Sequence, residues 1–216
     1  MKKILLCTLS LILCFTIFPL QANETRSLMI VAHPDDETIW GGDHLLHGNY
    51  TVLCITNGNN KKRKKEFMQA MKKTHSQGII LNYPDKTNGQ RDNWNSCKKA
   101  IQKDIQKEID SNNWDMIVTH NPNGEYGHIH HKMVSKFVTK IVKKEKKTKK
   151  LVYFGQYTAR KNKINLKNEK RISKQDYKEK IKVIQVYASQ DKVMDHLHHM
   201  LPYENWIAYN NWGTIK

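Results

Sequence analysis

Five short apolar runs alternate with segments whose apolar residues recur at helical spacing, and this alternation narrows the fold more than any other feature of the chain. Residues 27–32 (SLMIVA), 51–56 (TVLCIT), 79–81, 115–119 (DMIVT) and 151–154 read as strands, the first two continuous enough to be buried on both faces. A helical pattern runs from Ile39 to Leu46 and ends at Gly48-Asn49; a second begins at Lys62 and lines up Phe67, Ala70, Met71 and Thr74. Asp92 reads as the N-cap of a third helix with Trp94, Cys97, Ile101, Ile105 and Ile109 on one stripe, and Val134, Phe137/Val138 and Ile141 mark a fourth. Residues 156–176 are polar without a clear period. Ile181, Ile184, Ala188 and Val193/Met194 then predict one last helix before an aromatic tail around Trp206 and Trp212. The pattern predicts a single α/β, Rossmann-like domain, a mainly parallel sheet with helices on both faces, and contains no internal repeat. Ligands of such sheets bind beyond the carboxyl ends of the strands, so chemistry is expected just after strands one and four.

The start of the chain reads differently. Met1, Lys2 and Lys3 precede an apolar run from Ile4 to Phe18, and Leu20-Gln21-Ala22 offers a small residue before Asn23. That is a secretory signal peptide over residues 1–22, with the domain over 23–216 and an exported product, periplasmic, envelope-bound or secreted. The competing reading, a retained anchor, meets a run shorter than the ~20 residues that span a bilayer. Leu13 before Cys14 is the wrong neighbour for a lipoprotein. With one long apolar stretch, and that at the start, a polytopic membrane protein is excluded, and no span is expected after cleavage.

Cleavage leaves Cys54 and Cys97, read as two buried free thiols in preference to a disulfide, and four Cys in 216 residues exclude a disulfide-scaffold mini-protein. The net charge of the whole chain is +17, and +15 remains on 23–216. Residues 61–65, 143–150 and 160–180 are the densest basic stretches. They read as solvated helix ends and loops, with attraction to anionic cell-surface polymers as the sharper alternative. No zinc-finger spacing or RNA-binding aromatic pattern accompanies them, which makes nucleic acid the weaker partner.

The chemistry-bearing residues fall where the fold predicts. Strand one runs into Ala32-His33-Pro34-Asp35-Asp36-Glu37, and strand four into His120-Asn121-Pro122-Asn123-Gly124-Glu125-Tyr126-Gly127-His128-Ile129-His130-His131. Imidazoles and carboxylates at one end of a sheet suit a divalent metal, with three protein ligands leaving a fourth position for water. Either aspartate alone reads as a helix cap, and the later histidines alone as a surface cluster. Two such clusters at two strand ends are not explained by capping.

AHPDDE after the first strand, with GEYGHIHH later, resembles the PIG-L (LmbE-like) metal-dependent N-acetylglucosaminyl deacetylases, a family that includes phosphatidylinositol-glycan, mycothiol or bacillithiol pathway and glycopeptide deacetylases. A weaker likeness runs from Lys180 to Ser189-Gln190. The resemblance implies His33, Asp36 and His131 as metal ligands, Asp35 as general base, and His128 as the group polarising or protonating the scissile amide. It also implies Tyr126 near the reacting centre and Arg63, in an Arg-x-x-Glu pair with Glu66, on substrate. His130 departs from the family's usual Asp or Asn and stands as a rival ligand.

The implied reaction is hydrolysis of an acetamido group on an N-acetylglucosamine-containing glycan, with zinc as the expected metal and Fe2+ or Co2+ as alternatives. The residues leave open whether Asp35 or His128 protonates the leaving amine. A basic surface favours an anionic glycan. Two other readings compete: a metal hydrolase of another bond, such as a phosphoester, and a non-enzymatic basic protein binding anionic polymers. The first lacks a second metal motif, and the second leaves the intact AHPDDE unexplained.

Overall fold

The computed structural model describes residues 25–162 and 171–214. The expected signal peptide, residues 1–22, lies outside the described residues. In chain order the elements are β1 (Arg26–Val31), α1 (Asp36–His47), β2 (Asn49–Thr56), α2 (Lys61–Lys73), β3 (Gln77–Tyr83), β4 (Lys86–Thr87), β5 (Gln90–Arg91), α3 (Lys98–Asp110), β6 (Met116–Thr119), α4 (Ile129–Lys144), β7 (Leu151–Tyr153), α5 (Lys174–Ile184), α6 (Asp191–Leu197) and β8 (Ile207–Ala208). Six strands make one sheet in the order β3-β2-β1-β6-β7-β8, parallel throughout except for the β7–β8 pair.

Strand side chains alternate between two cores, as a period of two requires. Met29, Val31, Val52 and Cys54 pack with Ile39 and Leu45 of α1, Phe67 and Met71 of α2, and Val183 and Ile184 of α5. Leu28, Ile30, Leu53 and Ile55 face the other way, onto the Ile101, Ile105 and Ile109 stripe of α3 and onto Val134, Val138 and Ile141 of α4. The predicted sandwich of helices on both faces is therefore the observed one. Cys54 is buried in the first core, whereas Cys97 is half-buried against the second, short of the burial expected of it; the sheet separates the two and both are free.

The chain lays β2 and β3 on one side of β1 and then crosses back to place β6 on the other. Strands β1 and β6 thus flank the point where strand order reverses, the usual binding crevice of such sheets. Ile30 pairs with Thr119, so the segments beginning at His33 and His120 leave the sheet side by side.

Two expectations are corrected, and a hairpin is added. Asp92 does not cap α3, whose N-cap is Cys97; its carboxylate instead accepts from Trp94 N at 2.6 Å and from Thr87 Oγ1 at 2.6 Å, bracing the turn that feeds the helix. The single last helix is two, α5 and α6, broken by the 3-10 turn Ala188–Gln190. The β4–β5 hairpin interrupts the path from β3 to α3, closed by Asn88 and Gly89 at φ 53° and 78°. Positive φ at both central residues is what a tight hairpin turn demands, and Asn-Gly supplies it.

Helix α5 is fastened to α1 by a buried charge. Lys180 donates Nζ to Glu204 Oε1 at 2.6 Å and to Ile39 O at 2.7 Å. Glu204 in turn accepts from the backbone N–H groups of Asp43 and His44. Gly42 makes the slot: a Cβ there would stand 2.9 Å from Lys180 Cγ.

Candidate metal centre and active site

The turn after β1 is built to aim carboxylates. Asp35 occupies the N-cap position of α1 at φ 114°, yet its side chain makes no capping bond. A non-glycine residue in that region is strained and persists only where its surroundings hold it. Here the Glu37 carboxylate accepts from Asp35 N at 3.0 Å, while Arg63 Nη2 donates to Asp35 Oδ2 at 3.1 Å and to Pro34 O. Tyr187 donates its hydroxyl to Glu37, so the brace reaches the end of α5. Asp36 is the next residue and accepts from His33 N at 2.8 Å.

His33, Asp36 and His131, far apart in sequence, converge. His33 Nδ1 stands 3.2 Å from Asp36 Oδ2 and 3.3 Å from His131 Nε2, and His131 Nε2 is 3.2 Å from Asp36 Oδ1. Ligands bound tetrahedrally at ~2.0–2.1 Å have donor atoms about 3.3 Å apart, and the His33–His131 spacing and the spacing of each imidazole to its own oxygen of Asp36 are of that size; His128 also groups with His33 and His131 closely enough to be read as a metal group. Charge agrees with geometry. Burial opposes a carboxylate at Asp36, but the facing His131 and His120 hold its acid well below the usual range. Burial likewise opposes a cation at His33, and Asp36 and Asp85 overcome it, raising the imidazole to about 9.

The other nitrogens of these rings are anchored from behind. His131 donates Nδ1–H to Glu125 Oε2 at 2.6 Å, and His120 donates Nδ1–H to the same oxygen at 2.9 Å. Ala32 N donates to His120 Nε2 at 3.0 Å, which uses the lone pair a metal would need. His120, Asp36 and His131 also cluster closely enough to be read as a metal group, but that backbone bond makes His120 a supporting residue. His33 directs its Nε2–H towards His130 Nδ1 at 3.1 Å and Asp85 Oδ1 at 3.2 Å. His130 passes its own Nε2–H to Asp92 O at 2.6 Å and stacks on Trp94 with ring centroids 4.0 Å apart. His33, Asp85 and His130 form another close group, yet the Arg91 guanidinium sits on Asp85 Oδ1, and a second cation there would be repelled.

A cavity of about 520 Å³ opens over the triangle, lined by His33, Asp35, Asp36, Arg63, Tyr126 and His128 among others. Burial first, and then Asp36, raise Asp35 to about 7, with Arg63 pulling the other way. That value suits a group that must both take and return a proton near neutrality. His128 is the N-cap of α4 and its Nδ1 accepts from His130 N at 3.2 Å, so the ring's proton is on Nε2. Burial, His131 and His33 push its imidazolium down to about 2, which makes it a neutral donor. Tyr126, 37% exposed, sets its ring 6.0 Å from that of His128.

Arg63 reaches Asp35 from α2 with its far side held. Nη1 donates to Glu66 Oε2 at 3.5 Å and Ser189 Oγ at 3.3 Å, while Ser189 Oγ donates to Glu66 Oε2 at 2.5 Å. The Ser189-Gln190 likeness thus has a physical basis: it ties the turn after α5 to the guanidinium that holds Asp35. All seven sequence-predicted site residues meet at this cavity or its floor. Sequence reasoning missed His120, Glu125, Asp85, Arg91 and Glu37. Glu125 lay inside the quoted GEYGHIHH run and Glu37 inside AHPDDE, at the start of α1, with no role read for either; His120 and Asp85 stand just after strands and Arg91 in the two-residue β5, where no periodicity marks them.

Residues 28–142 match the family described as PIG-L: GlcNAc-PI de-N-acetylase. Uncharacterized protein L374 of Acanthamoeba polyphaga mimivirus is 31% identical over 205 residues, covering 87% of this chain and 82% of that protein. Among solved structures, the antimicrobial reagent A40926 pseudoaglycone deacetylase Dbv21 is similar with a TM-score of 0.60 at 17% identity, over 80% of this chain and 85% of that one. The N,N'-diacetylchitobiose deacetylase of Pyrococcus horikoshii follows at 0.59 and 16%, over 83% and 76%. GalB, a 4-carboxy-2-hydroxymuconate hydratase from Pseudomonas putida, reaches 0.58 at 12%, over 81% and 83%.

Proposed function

The chain belongs to the PIG-L family of GlcNAc-PI de-N-acetylases, and from that premise we propose that it is an exported, zinc-dependent N-deacetylase hydrolysing the acetamido group of an N-acetylglucosamine-containing glycan. The observation that carries this reading is Asp35: a buried carboxyl in a strained N-cap position that caps nothing, paired with Arg63 and poised over the His33–Asp36–His131 triangle. Two solved structures of the same fold are a pseudoaglycone deacetylase and an N,N'-diacetylchitobiose deacetylase, in line with such a substrate.

His33, Asp36 and His131 are the residues that would hold the metal. A divalent ion bound there polarises an acyl oxygen and brings a water's pKa towards about 7. Asp35 takes a proton from the attacking water as the oxygen bonds to the acyl carbon. His128 donates its Nε2–H to the acyl oxygen as charge gathers there, an interaction worth roughly 3–4 kcal/mol for a single donor in another hydrolase. When the C–N bond breaks, the proton on Asp35 passes to the leaving amine, giving acetate and an amino sugar. With its Nδ1 occupied by His130 N, His128 keeps its Nε2–H for the acyl oxygen, which leaves Asp35 as the donor to the amine. Tyr126 closes the side of the cavity over His128. Arg63 keeps Asp35 in place and faces the substrate from α2.

Because a hydratase shares the fold, the deciding test reads released amine. Protein of measured metal content is offered N-acetylated sugars and glycan fragments. Amine release that is lost with a chelator and restored by zinc is expected; no release from any of them by metal-loaded protein overturns the reading. Iron or cobalt restoring more activity than zinc would reassign the metal alone. Export rests on Lys2, Lys3, the apolar run and Ala22. N-terminal sequencing of the located protein is expected to begin at Asn23, and an intact Met1 overturns it.

A further inference from the structure

We infer that the chain carries a second site for a zinc-class divalent ion, apart from the His33–Asp36–His131 triangle, formed by Asp43 and His47 of α1 and Asp176 of α5. It takes no part in the proposed hydrolysis and does not depend on that reading.

Three ligand atoms from two helices converge. His47 Nε2 lies 3.3 Å from Asp43 Oδ1 and 3.1 Å from Asp176 Oδ1, and all three atoms fall within 4.8 Å of one another. The two spacings from the nitrogen match the roughly 3.3 Å between donors bound at ~2.0–2.1 Å around a tetrahedral ion. Asp43 and His47 are four residues apart at the end of α1, which puts them on one face of that helix. Asp176 stands in the first turn of α5. Its other oxygen, Oδ2, accepts from Ser173 Oγ at 2.5 Å, which holds the carboxylate with Oδ1 towards His47.

The cluster is short of positive charge. One ring nitrogen faces both carboxylates and carries at most one proton, which His47 directs to Asp176 Oδ1. Asp43 Oδ1 is left buried and, among the described residues, without a hydrogen bond. Burial first, and then Glu204 and Asp176, push the Asp43 acid above its ordinary value. The neighbouring cations are engaged elsewhere: Lys180 on Glu204 and Ile39 O, and His44 on Glu204. A divalent ion in place of the single proton would serve Nε2 and both oxygens together, and the exposed side of His47 leaves room for water to complete the shell. An imidazole with two carboxylates suits zinc, whereas magnesium and calcium prefer all-oxygen sites. Bound there, the ion would clip the end of α1 to the start of α5, the two helices that Lys180 and Glu204 already fasten.

The deciding measurement is the number of zinc ions bound. In equilibrium dialysis of the protein against buffered zinc, the parent should fill in two steps, first the buried triangle and then, at higher free zinc, the α1–α5 site. His47→Ala, at an exposed position, and Asp43→Asn, which keeps the shape of the side chain, should each retain the first step and lose the second. Excess magnesium should not displace the second ion. His131→Ala should behave in the opposite sense, losing the first step and keeping the second, so that failure of the triangle and failure of the clip are read on different variants. Raising zinc from the first step to the second should lift the urea midpoint of the parent and leave that of His47→Ala unmoved. A single step in the parent overturns the site. So does a second step that persists in both His47→Ala and Asp43→Asn, which would be zinc held elsewhere on the surface.

Discussion

His33 gives its Nε2–H to His130 Nδ1 at 3.1 Å while its Nδ1 stands 3.3 Å from His131 Nε2, so one ring faces the metal position and is aligned from behind by another. Both of its nitrogens are engaged, by His33 and by Asp92 O, which favours His130 as a support over a rival ligand. Groups of this kind typically contribute 10–100-fold in metal affinity. His130→Ala should weaken zinc binding on that scale in competition with a chromophoric chelator, and His130→Asn, which keeps an acceptor, should recover part of it. Unchanged affinity in His130→Ala would mean that Asp85 alone orients His33.

Removing the metal should abolish amine release, and readdition should restore it. His33→Ala and His131→Ala should each bind well under one ion per chain at the free zinc that just fills the triangle of the parent. Glu125→Gln should keep the stoichiometry but lose about 10–100-fold in affinity, because the shared carboxylate that fixes His131 and His120 is gone. Full occupancy in both histidine variants would remove the triangle from consideration.

Asp35→Asn should retain metal and lose about 10²–10⁴-fold in turnover, the usual scale for a general base. Asparagine preserves shape and can still accept from Arg63, so folding is spared. Compared at equal metal content, a loss smaller than threefold would mean the adjacent pair is read the wrong way round, with Asp36 acting as base.

The Lys180–Glu204 pair predicts an acid limit to stability. Burial opposes the Glu204 carboxylate, but Lys180 and then His44 bring its acid down to about 2 from an ordinary 4.5. Its contribution is complete above about pH 4.5 and is lost as pH falls through 2, amounting to roughly 3 kcal/mol. Urea unfolding between pH 7 and pH 3 should show a fall that steepens below 4.5 and flattens in Glu204→Gln. Lys180→Met, which strands the carboxylate, should cost about 3–5 kcal/mol at pH 7. A loss under 1 kcal/mol would mean that water or His44 replaces the ammonium.

Five of the six main-sheet strands and the face of each long helix were legible because burial on both sides leaves continuous apolar runs, as in 27–32, and because Ile101, Ile105 and Ile109 repeat at helical spacing; the two-residue antiparallel β8 was not. Two-residue strands such as β4 and β5 carry no period, and the available signal was the turn itself, Asn88-Gly89. Asp92 has the residue type of a cap, but Trp94 at φ 55° turns the chain before α3 begins, and tertiary packing of that indole overrides the local preference. The site residues taken from AHPDDE and the later histidine run were legible by type and place. Their supports were not: whether Glu125 faces solvent or two imidazoles depends on a loop conformation, with φ 52° at Glu125 itself, that residue order does not reveal.

The sequence distance between β1 and β6, which are neighbours in the sheet although β2 and β3 lie between them in the chain, has a kinetic consequence. His33 and His131 are 98 positions apart, so no local segment of the chain can grip the ion with the full ligand set. On the proposed metal reading, capture would wait for a slow, non-local strand pairing, and the ion would arrive as a latch on a completed structure, not as a nucleus for building it. For a ligand at a thousandfold excess over its Kd the latch is worth about 4 kcal/mol. It should appear almost wholly as slower unfolding, with refolding rates the same in chelator as in zinc.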